Sequence, residues 1–223
     1  MKILALETST DFCSVALWRD GELDGIEQHV GQSHSERLLA MVSELLARHG
    51  LEIAALDALA FGEGPGAFTG LRIACGVTQG LAFAAGMPVV GVGTLMAMAE
   101  FTGAQRVVCC IDARMHEIYH AAYERSAGGW NTVQAPGVYP PSAAPLPPDG
   151  EWLGCGNGFA VYRDTLMPRF EGRVAKVDVT VHARAHEIAR LAVSRLERGE
   201  GRDAAGAVPL YVRDKVALKT HER

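Results

Sequence analysis

The sequence lacks the features of a secreted or nucleic-acid-coating protein. Its five cysteines are an odd number with no Cys-x-x-Cys spacing, which argues against a disulfide framework. The net charge of -5 argues against a broad basic face that binds nucleic acid unaided. The apolar run after Met1 is too short for a signal peptide. We therefore expect a cytoplasmic protein with reduced, packed thiols at Cys13, Cys75, Cys109, Cys110 and Cys155.

One uncharged stretch, between Arg72 and Glu100, resembles a membrane span. It is interrupted at 86–88 by Gly-Met-Pro, and Gly91 and Gly93 follow shortly after. A span needs about 20 continuous apolar residues, whereas Gly and Pro mark turns between shorter elements. The interruption favours two short buried elements, and we predict no contact with a membrane.

Two well-separated segments of the sequence have the same layout. In the first, an apolar strand over 3–7 leads through a tight turn into a return strand near 13–18. In the second, the corresponding strands lie at 107–112 and 117–123. A continuous apolar run is typical of a buried central strand, and alternation is typical of a half-covered neighbour. The layout predicts two duplicated lobes that each open with a β-hairpin; the alternative is two unrelated hairpins.

Between the hairpins the pattern is α/β. A capping box, Ser33-x-x-Glu36, predicts a helix over about 34–49 with a wide apolar stripe. The next predicted elements are a strand at 58–61, a helix over about 70–85, a strand at 89–92 and a helix from 94. Strand, helix and strand of these lengths predict a right-handed parallel crossover.

The second half of the chain changes in composition. Six of the ten prolines fall between Pro136 and Pro148, which predicts an irregular loop over 135–150. A further helix is predicted over about 183–198. We divide the chain into an N-terminal lobe, 1–103, and a C-terminal lobe, 104–223, whose last residues could pack back on the rest.

Two histidine patterns suggest zinc. His116 to His120 match the His-Glu-x-x-His motif of zinc peptidases, whose two imidazoles must share one face of a helix. Here the motif falls in a predicted strand, where the two histidines stand about 13 Å apart. His182 and His186 are spaced for a helix face, but no third ligand is evident, and surface histidines are the favoured interpretation. A zinc peptidase stays open as an alternative.

Glycines suggest two further sites. The loop over 62–69 precedes a helix and could cradle a phosphate, but it lacks the P-loop lysine and Glu63 would repel an anion. A rigid turn explains it equally well. Gly76 and Gly80 lie inside a predicted helix, where each costs about 1 kcal/mol relative to Ala. Close packing within the monomer and a close helix contact with a partner both account for them.

Several segments resemble the TsaB (YeaZ) family. The resemblance is carried by 3–10, 64–73, 111–115, 209–213 and Lys219-Thr220, and the stretch Gly64-Pro-Gly-Ala-Phe-Thr-Gly-Leu-Arg-Ile73 is the most specific. It implies the actin-like ATPase (ASKHA) fold with two duplicated lobes. It also implies a part in making threonylcarbamoyladenosine (t6A) beside the anticodon of tRNA.

The same resemblance implies a non-catalytic subunit. In that family TsaD carries the metal and the catalytic site, TsaB-type subunits bind and activate TsaD, and TsaE joins as an ATPase. We accordingly expect no catalytic residue, no metal site and no tightly bound cofactor, with ATP or ADP only at an interface of the complex and tRNA only within it. An autonomous kinase or ATPase of the same superfold remains an alternative, as does an M22-type zinc peptidase.

We expect the helices near 34–49 and 70–85 to dock on TsaD, and to form a homodimer when TsaD is absent. The predicted interface residues are Leu38, Met41, Val42, Leu45, Leu71, Ala74, Cys75, Thr78, Gln79 and Ala82. Residues that could face a nucleotide phosphate are Glu7, Thr8, Ser9 and Arg72. Because a cation at a helix start opposes the helix dipole, we expect Arg72 to pair with Glu63, Glu7 or the partner.

Overall fold

Two five-stranded sheets form the framework of the computed structural model, which describes residues 1–213. The strands of the first sheet are β1 (Lys2–Glu7), β2 (Phe12–Arg19), β3 (Glu22–His29), β4 (Ala58–Gly64) and β5 (Val89–Gly93). Those of the second are β6 (Arg106–Arg114), β7 (Glu117–Ser126), β8 (Gly129–Tyr139), β9 (Trp152–Cys155) and β10 (Val174–Asp178). The helices are α1 (His34–Arg48), α2 (Phe68–Ala85), α3 (Thr94–Thr102), α4 (Gly158–Val161), α5 (Arg163–Arg169) and α6 (Ala185–Glu197).

The two sheets have the same topology. The first has the order β3-β2-β1-β4-β5 and the second β8-β7-β6-β9-β10. In each, three antiparallel strands are followed by two strands that run parallel to the first. The duplication predicted from the hairpins is confirmed, and the alternative of two unrelated hairpins is wrong.

Each predicted hairpin continues into a third strand that the sequence patterns did not indicate. β3 and β8 lie at the sheet edges and carry largely exposed or half-buried residues, so their apolar signal is weak. β8 extends to Tyr139, so the irregular segment begins after that residue and not at 135. The predicted loop over 135–150 is therefore too long at its N-terminal end.

The first sheet is covered on both faces. Helices α1 and α2 pack on one face around Leu4, Leu6 and Phe61. Helix α6 packs on the other through Ala185, Ile188, Ala189 and Ala192, against Ile3 and Ala5. The sequence prediction placed α6 in the C-terminal lobe, and this placement is wrong. The chain returns from the second sheet to the first because the second face of the first sheet is apolar and is buried by a helix that is rich in small residues.

Helix α1 begins where the capping box indicates, but the Ser33 side chain makes no capping hydrogen bond and its carbonyl oxygen accepts from Glu36 instead. All five cysteines are buried and free, as predicted, with the sulfur atoms of Cys109 and Cys155 3.5 Å apart on neighbouring strands. Among residues 1–213, no helix combines the length and the apolar character that crossing a membrane requires.

Candidate functional site

The predicted interface residues lie inside the monomer. Nine of the ten are buried in the core beneath α1 and α2, and they cannot contact a partner: Leu38, Met41, Val42, Leu45, Leu71, Ala74, Cys75, Thr78 and Ala82. The tenth, Gln79, is half-buried and donates to the carbonyl oxygen of Ala207 at 2.8 Å. The choice of residues is therefore wrong. The wide stripe on α1 fills the space between the sheet and α2, and the small residues on α2 allow that close packing.

The opposite face of α2 has no packing partner within the described residues. A Cβ atom built at Gly76 or Gly80 would meet no atom within 4 Å. One turn further, the Phe83 side chain is 83% exposed, and on α1 Leu39 is 50% exposed. Positions 76, 80 and 83 share one face of a helix. We call Gly76, Gly80 and Phe83 the outer helix face. Its signal, Gly76-x-x-x-Gly80 followed by Phe83, is present in the sequence.

A cavity of about 810 Å³ lies between the two sheets. The β1–β2 turn and the loop before α2 line it from the first lobe, and the β6–β7 turn lines it from the second. The segment 179–182, which leads into α6, and the tail residues 210–213 complete the lining. The cavity is therefore bounded by both lobes and by the two segments that pass between them.

Of the four residues predicted to face a phosphate, only Ser9 lines this cavity. Glu7 is fully buried, and its carboxylate accepts a hydrogen bond from the Ser9 amide. Burial raises the pKa of Glu7, against the hydrogen bonds from Ser9, and so favours the neutral acid. Thr8 is also fully buried and donates its hydroxyl to the carbonyl oxygen of Gly70 at 2.7 Å. The structure does not bring the four together as one site.

Arg72 does not form the ion pair expected within the chain. Its Nε donates to the Tyr211 hydroxyl at 3.0 Å, and its guanidinium lies 3.8 Å from the Phe68 ring centroid. Glu63 lies instead 3.8 Å from Arg195. The expected pairing of Arg72 with Glu63 or Glu7 is wrong within the monomer. A cation–π contact to Phe68 and a tyrosine from the tail take its place.

The β6–β7 turn achieves its shape without glycine. Arg114, Met115 and His116 all have positive φ, between 54° and 62°. Its polar groups bond to each other: Asp112 accepts from the Arg114 amide at 2.9 Å and from the Tyr162 hydroxyl at 3.0 Å. The Asp112 amide in turn donates to Asn157 at 2.9 Å. These groups are therefore already engaged, and they hold the turn in place.

Three basic side chains line the cavity, and each lies near a carboxylate. Arg114 lies 3.2 Å from Asp112, and Arg213 lies 2.5 Å from Glu117. His182 lies 3.3 Å from Glu27. A phosphate group in the cavity would have to compete with these carboxylates for the same basic side chains.

His182 and His186 are half-buried rather than the surface histidines favoured from sequence. The His182 ring stacks on Phe12 with the centroids 4.0 Å apart. Burial alone lowers the pKa of His182, but the Glu27 carboxylate and the Thr180 carbonyl more than offset it, and the pKa is raised. Burial raises the pKa of Glu27, but the neighbouring His182 and Arg184 more than offset it, and the pKa is lowered.

The contact between His182 and Glu27 predicts that the stability of the protein depends on pH. Glu27→Gln is expected to lower the Tm more at pH 6 than at pH 8. Because the folded-state pKa of His182 is raised, its stabilising contribution is complete below the unfolded value of about 6.5 and is lost as pH rises through the folded value. Glu27→Gln also removes the carboxylate that lies 3.4 Å from Arg184, so part of the difference persists at pH 8. Thermal melts of both proteins between pH 5.5 and 8.5 measure this; a difference independent of pH would contradict it.

The His-Glu-x-x-His motif does not lie on a helix, as predicted, although its first histidine precedes the strand in which the whole motif was expected. His116 is in the β6–β7 turn and His120 is buried on β7. His120 bonds to Gln134 at 2.8 Å, and burial lowers its pKa to about 4, so it is neutral at physiological pH. Residues 1–213 contain no group of three or more His, Cys, Asp or Glu side chains placed to hold a metal ion.

The chain is similar to proteins of tRNA modification. The family model described as TsaD, tRNA N6-adenosine threonylcarbamoyltransferase, matches residues 27–220. The tRNA threonylcarbamoyladenosine biosynthesis protein TsaB of Escherichia coli K12 is 37% identical, over 98% of this chain and 97% of that protein. The protein of the same name from Haemophilus influenzae is 47% identical over 56% of this chain and 55% of its own length.

A solved structure covers nearly the same length. YeaZ from Pseudomonas aeruginosa is 40% identical, with a TM-score of 0.88 over 94% of this chain and 99% of that one. Together with the TsaD-type match and the duplicated strand order, this likeness confirms the predicted α/β fold of the actin-like ATPase class.

Proposed function

Because this chain belongs to the TsaB (YeaZ) family, it takes part in threonylcarbamoyladenosine synthesis, and we propose that it does so as a non-catalytic subunit that binds TsaD and activates it. On this proposal TsaD performs the threonylcarbamoyl transfer, TsaE joins the complex, and tRNA binds only to the assembled complex. The outer helix face is the docking surface.

The observation that carries the proposal is the combination of two open glycines with an exposed phenylalanine. Gly76 and Gly80 each cost helix stability, and no packing in the described monomer explains them. An exposed Phe83 loses the stabilisation that burial would give it. A second helix laid against this face would approach closely at the glycines and bury the phenylalanine. The same face would bury itself in a homodimer when TsaD is absent.

The cavity supports the non-catalytic part of the proposal. Each of its three basic side chains lies beside a carboxylate, with which a bound phosphate would have to compete. We propose that the isolated chain binds no nucleotide tightly and that ATP or ADP binds only at an interface of the complex.

The test measures threonylcarbamoyl transfer to tRNA by purified TsaD, with TsaE and a supply of activated threonylcarbamoyl group, in the presence and absence of this chain. We expect transfer only when the chain is present, and no ATP hydrolysis by the chain alone above the buffer rate. Full transfer without the chain would contradict the activating role. ATP turnover by the chain alone that is lost in Glu7→Gln but kept in His116→Ala would favour an autonomous ATPase instead.

A further inference from the structure

The segment 207–213 runs along the first lobe after a 3-10 turn at Ala204–Gly206. The Ala207 carbonyl oxygen accepts from two side chains of α2, Gln79 at 2.8 Å and Cys75 at 3.2 Å. Both α2 residues are spaced to lie on the side of the helix next to the tail. The start of the segment is therefore fixed on the same helix that bears the outer helix face.

The middle of the segment is held against the end of β4. The Leu210 amide donates to the Glu63 carbonyl oxygen at 2.6 Å. A Cβ atom at Gly64, which has a φ of +117°, would come within 2.9 Å of the Leu210 carbonyl oxygen. The backbone of the tail thus approaches β4 at a position where only glycine fits well.

Tyr211 adds a side-chain anchor on the first lobe. Its hydroxyl accepts from Arg72, and its ring lies 5.6 Å from the Phe68 ring, centroid to centroid. The Arg72 guanidinium also covers Phe68. Three side chains from the start of α2 and from the tail therefore form one packed group.

The end of the segment contacts the second lobe. Arg213 donates to Glu117 on β7 at 2.5 Å and approaches the sulfur of Met115 at 3.7 Å. Its guanidinium lies 5.8 Å from the Tyr119 ring centroid, and its side chain is only 14% exposed. A partly buried, charge-assisted hydrogen bond of this kind is stronger than a surface ion pair.

We propose that residues 207–213 act as a strap that ties the two lobes together and closes the interlobe cavity. Residues 210–213 line the cavity themselves, so the segment that joins the lobes is also part of the cavity wall. The first lobe holds the strap at Ala207, Leu210 and Tyr211, whereas the second holds it at Arg213. The interlobe cavity therefore opens first at Arg213, and its opening exposes the aromatic side chains that line it.

The experiment compares the full chain with Arg213→Gln and Glu117→Gln, using hydrogen exchange followed by mass spectrometry. Both variants are expected to exchange about 10-fold faster over 207–213 and in the β6–β7 turn, because each loses the ion pair that anchors the segment on the second lobe. The neutral dye N-phenyl-1-naphthylamine is expected to fluoresce several-fold more strongly with the variants, since the opened cavity admits it. The exchanged pair, Arg213→Glu with Glu117→Arg, is expected to recover part of the protection.

The matched control is Arg19→Gln, which breaks an ion pair to Glu22 within a single hairpin and should leave both readouts unchanged. Tyr211→Phe, which removes only the hydrogen bond to Arg72, should give a smaller effect of the same kind. The proposal is overturned if the Arg213 and Glu117 variants speed exchange in the tail alone, or in neither region. Because all measurements use the chain without TsaD, they do not depend on the docking proposal.

Discussion

A Gly80→Arg variant is expected to fold like the wild type and to bind TsaD at least about 100-fold more weakly. A side chain at this position meets no atom within 4 Å in the monomer, and Arg is a better helix former than Gly, so the Tm should rise slightly. In the complex, the same side chain would place an unpaired charge in a close helix contact, which costs several kcal/mol. Titration calorimetry with TsaD and a thermal melt of the free chain measure the two effects.

The control for this variant is Ser194→Arg, at an exposed position of α6 on the other face of the first sheet. It introduces the same charge on a helix and should leave TsaD binding and tRNA modification intact. If Gly80→Arg binds TsaD as well as Ser194→Arg does, the outer helix face is not the docking surface. Thr78→Arg would not test the docking surface, because Thr78 is fully buried and the variant would unfold whether or not α2 contacts TsaD.

The duplicated framework could be predicted from sequence because its signals are local. Strands β1 and β6 contain nearly continuous apolar runs, and in each the run is followed by an acidic residue, Glu7 or Asp112, close to a tight turn. The alternation in the return strands adds a second local signal. The bounds of α1, α2 and β5 follow to within two residues for the same reason, since turn residues punctuate the chain between them, whereas β4 continues to Gly64, past its predicted end at 61.

The orientation of α2 could not be predicted in this way. Both of its faces carry small residues: Ala74, Thr78 and Ala82 point inward, whereas Gly76 and Gly80 point outward. Side-chain size alone does not tell which face meets the sheet. The distinction lies in the difference between alanine, which gains from burial, and glycine, which gains almost nothing and is tolerated only where the backbone must be approached closely.

Contacts between distant parts of the chain have no signal in the local sequence pattern. Arg72 and Tyr211 are 139 residues apart, and the pattern around either one gives no indication of the other. Helix α6 follows the second sheet in sequence but covers the first, because the open face of β1 and β2 determines where an apolar helix can be buried. The cavity is lined in part by the tail that bears Tyr211 and by the segment that leads into α6, so its lining could be predicted only in part from the sequence.

A Gly70→Ala variant is expected to lose about 3 kcal/mol of folding free energy or more. The added Cβ would lie 1.8 Å from the Thr8 carbonyl oxygen, which is backbone and cannot rotate away. Thr8 is fixed in turn by its own hydroxyl, which donates to the Gly70 carbonyl oxygen. For a chain of this size, the loss corresponds to a decrease in Tm of about 10 °C. Thermal and urea denaturation measure it.

Gly76→Ala is the matched control, since it makes the same change on the same helix where a Cβ meets nothing within 4 Å. It should stabilise the protein by about 0.5–1 kcal/mol, because Ala is the better helix former. Changes in folding free energy of opposite sign for these two Gly→Ala substitutions on α2 would establish which face of the helix is packed. If both variants melt within about 1 °C of the wild type, the β1–β2 turn does not rest on α2. In that case the contact between Gly70 and the β1–β2 turn would no longer show which face of α2 points away from the sheet.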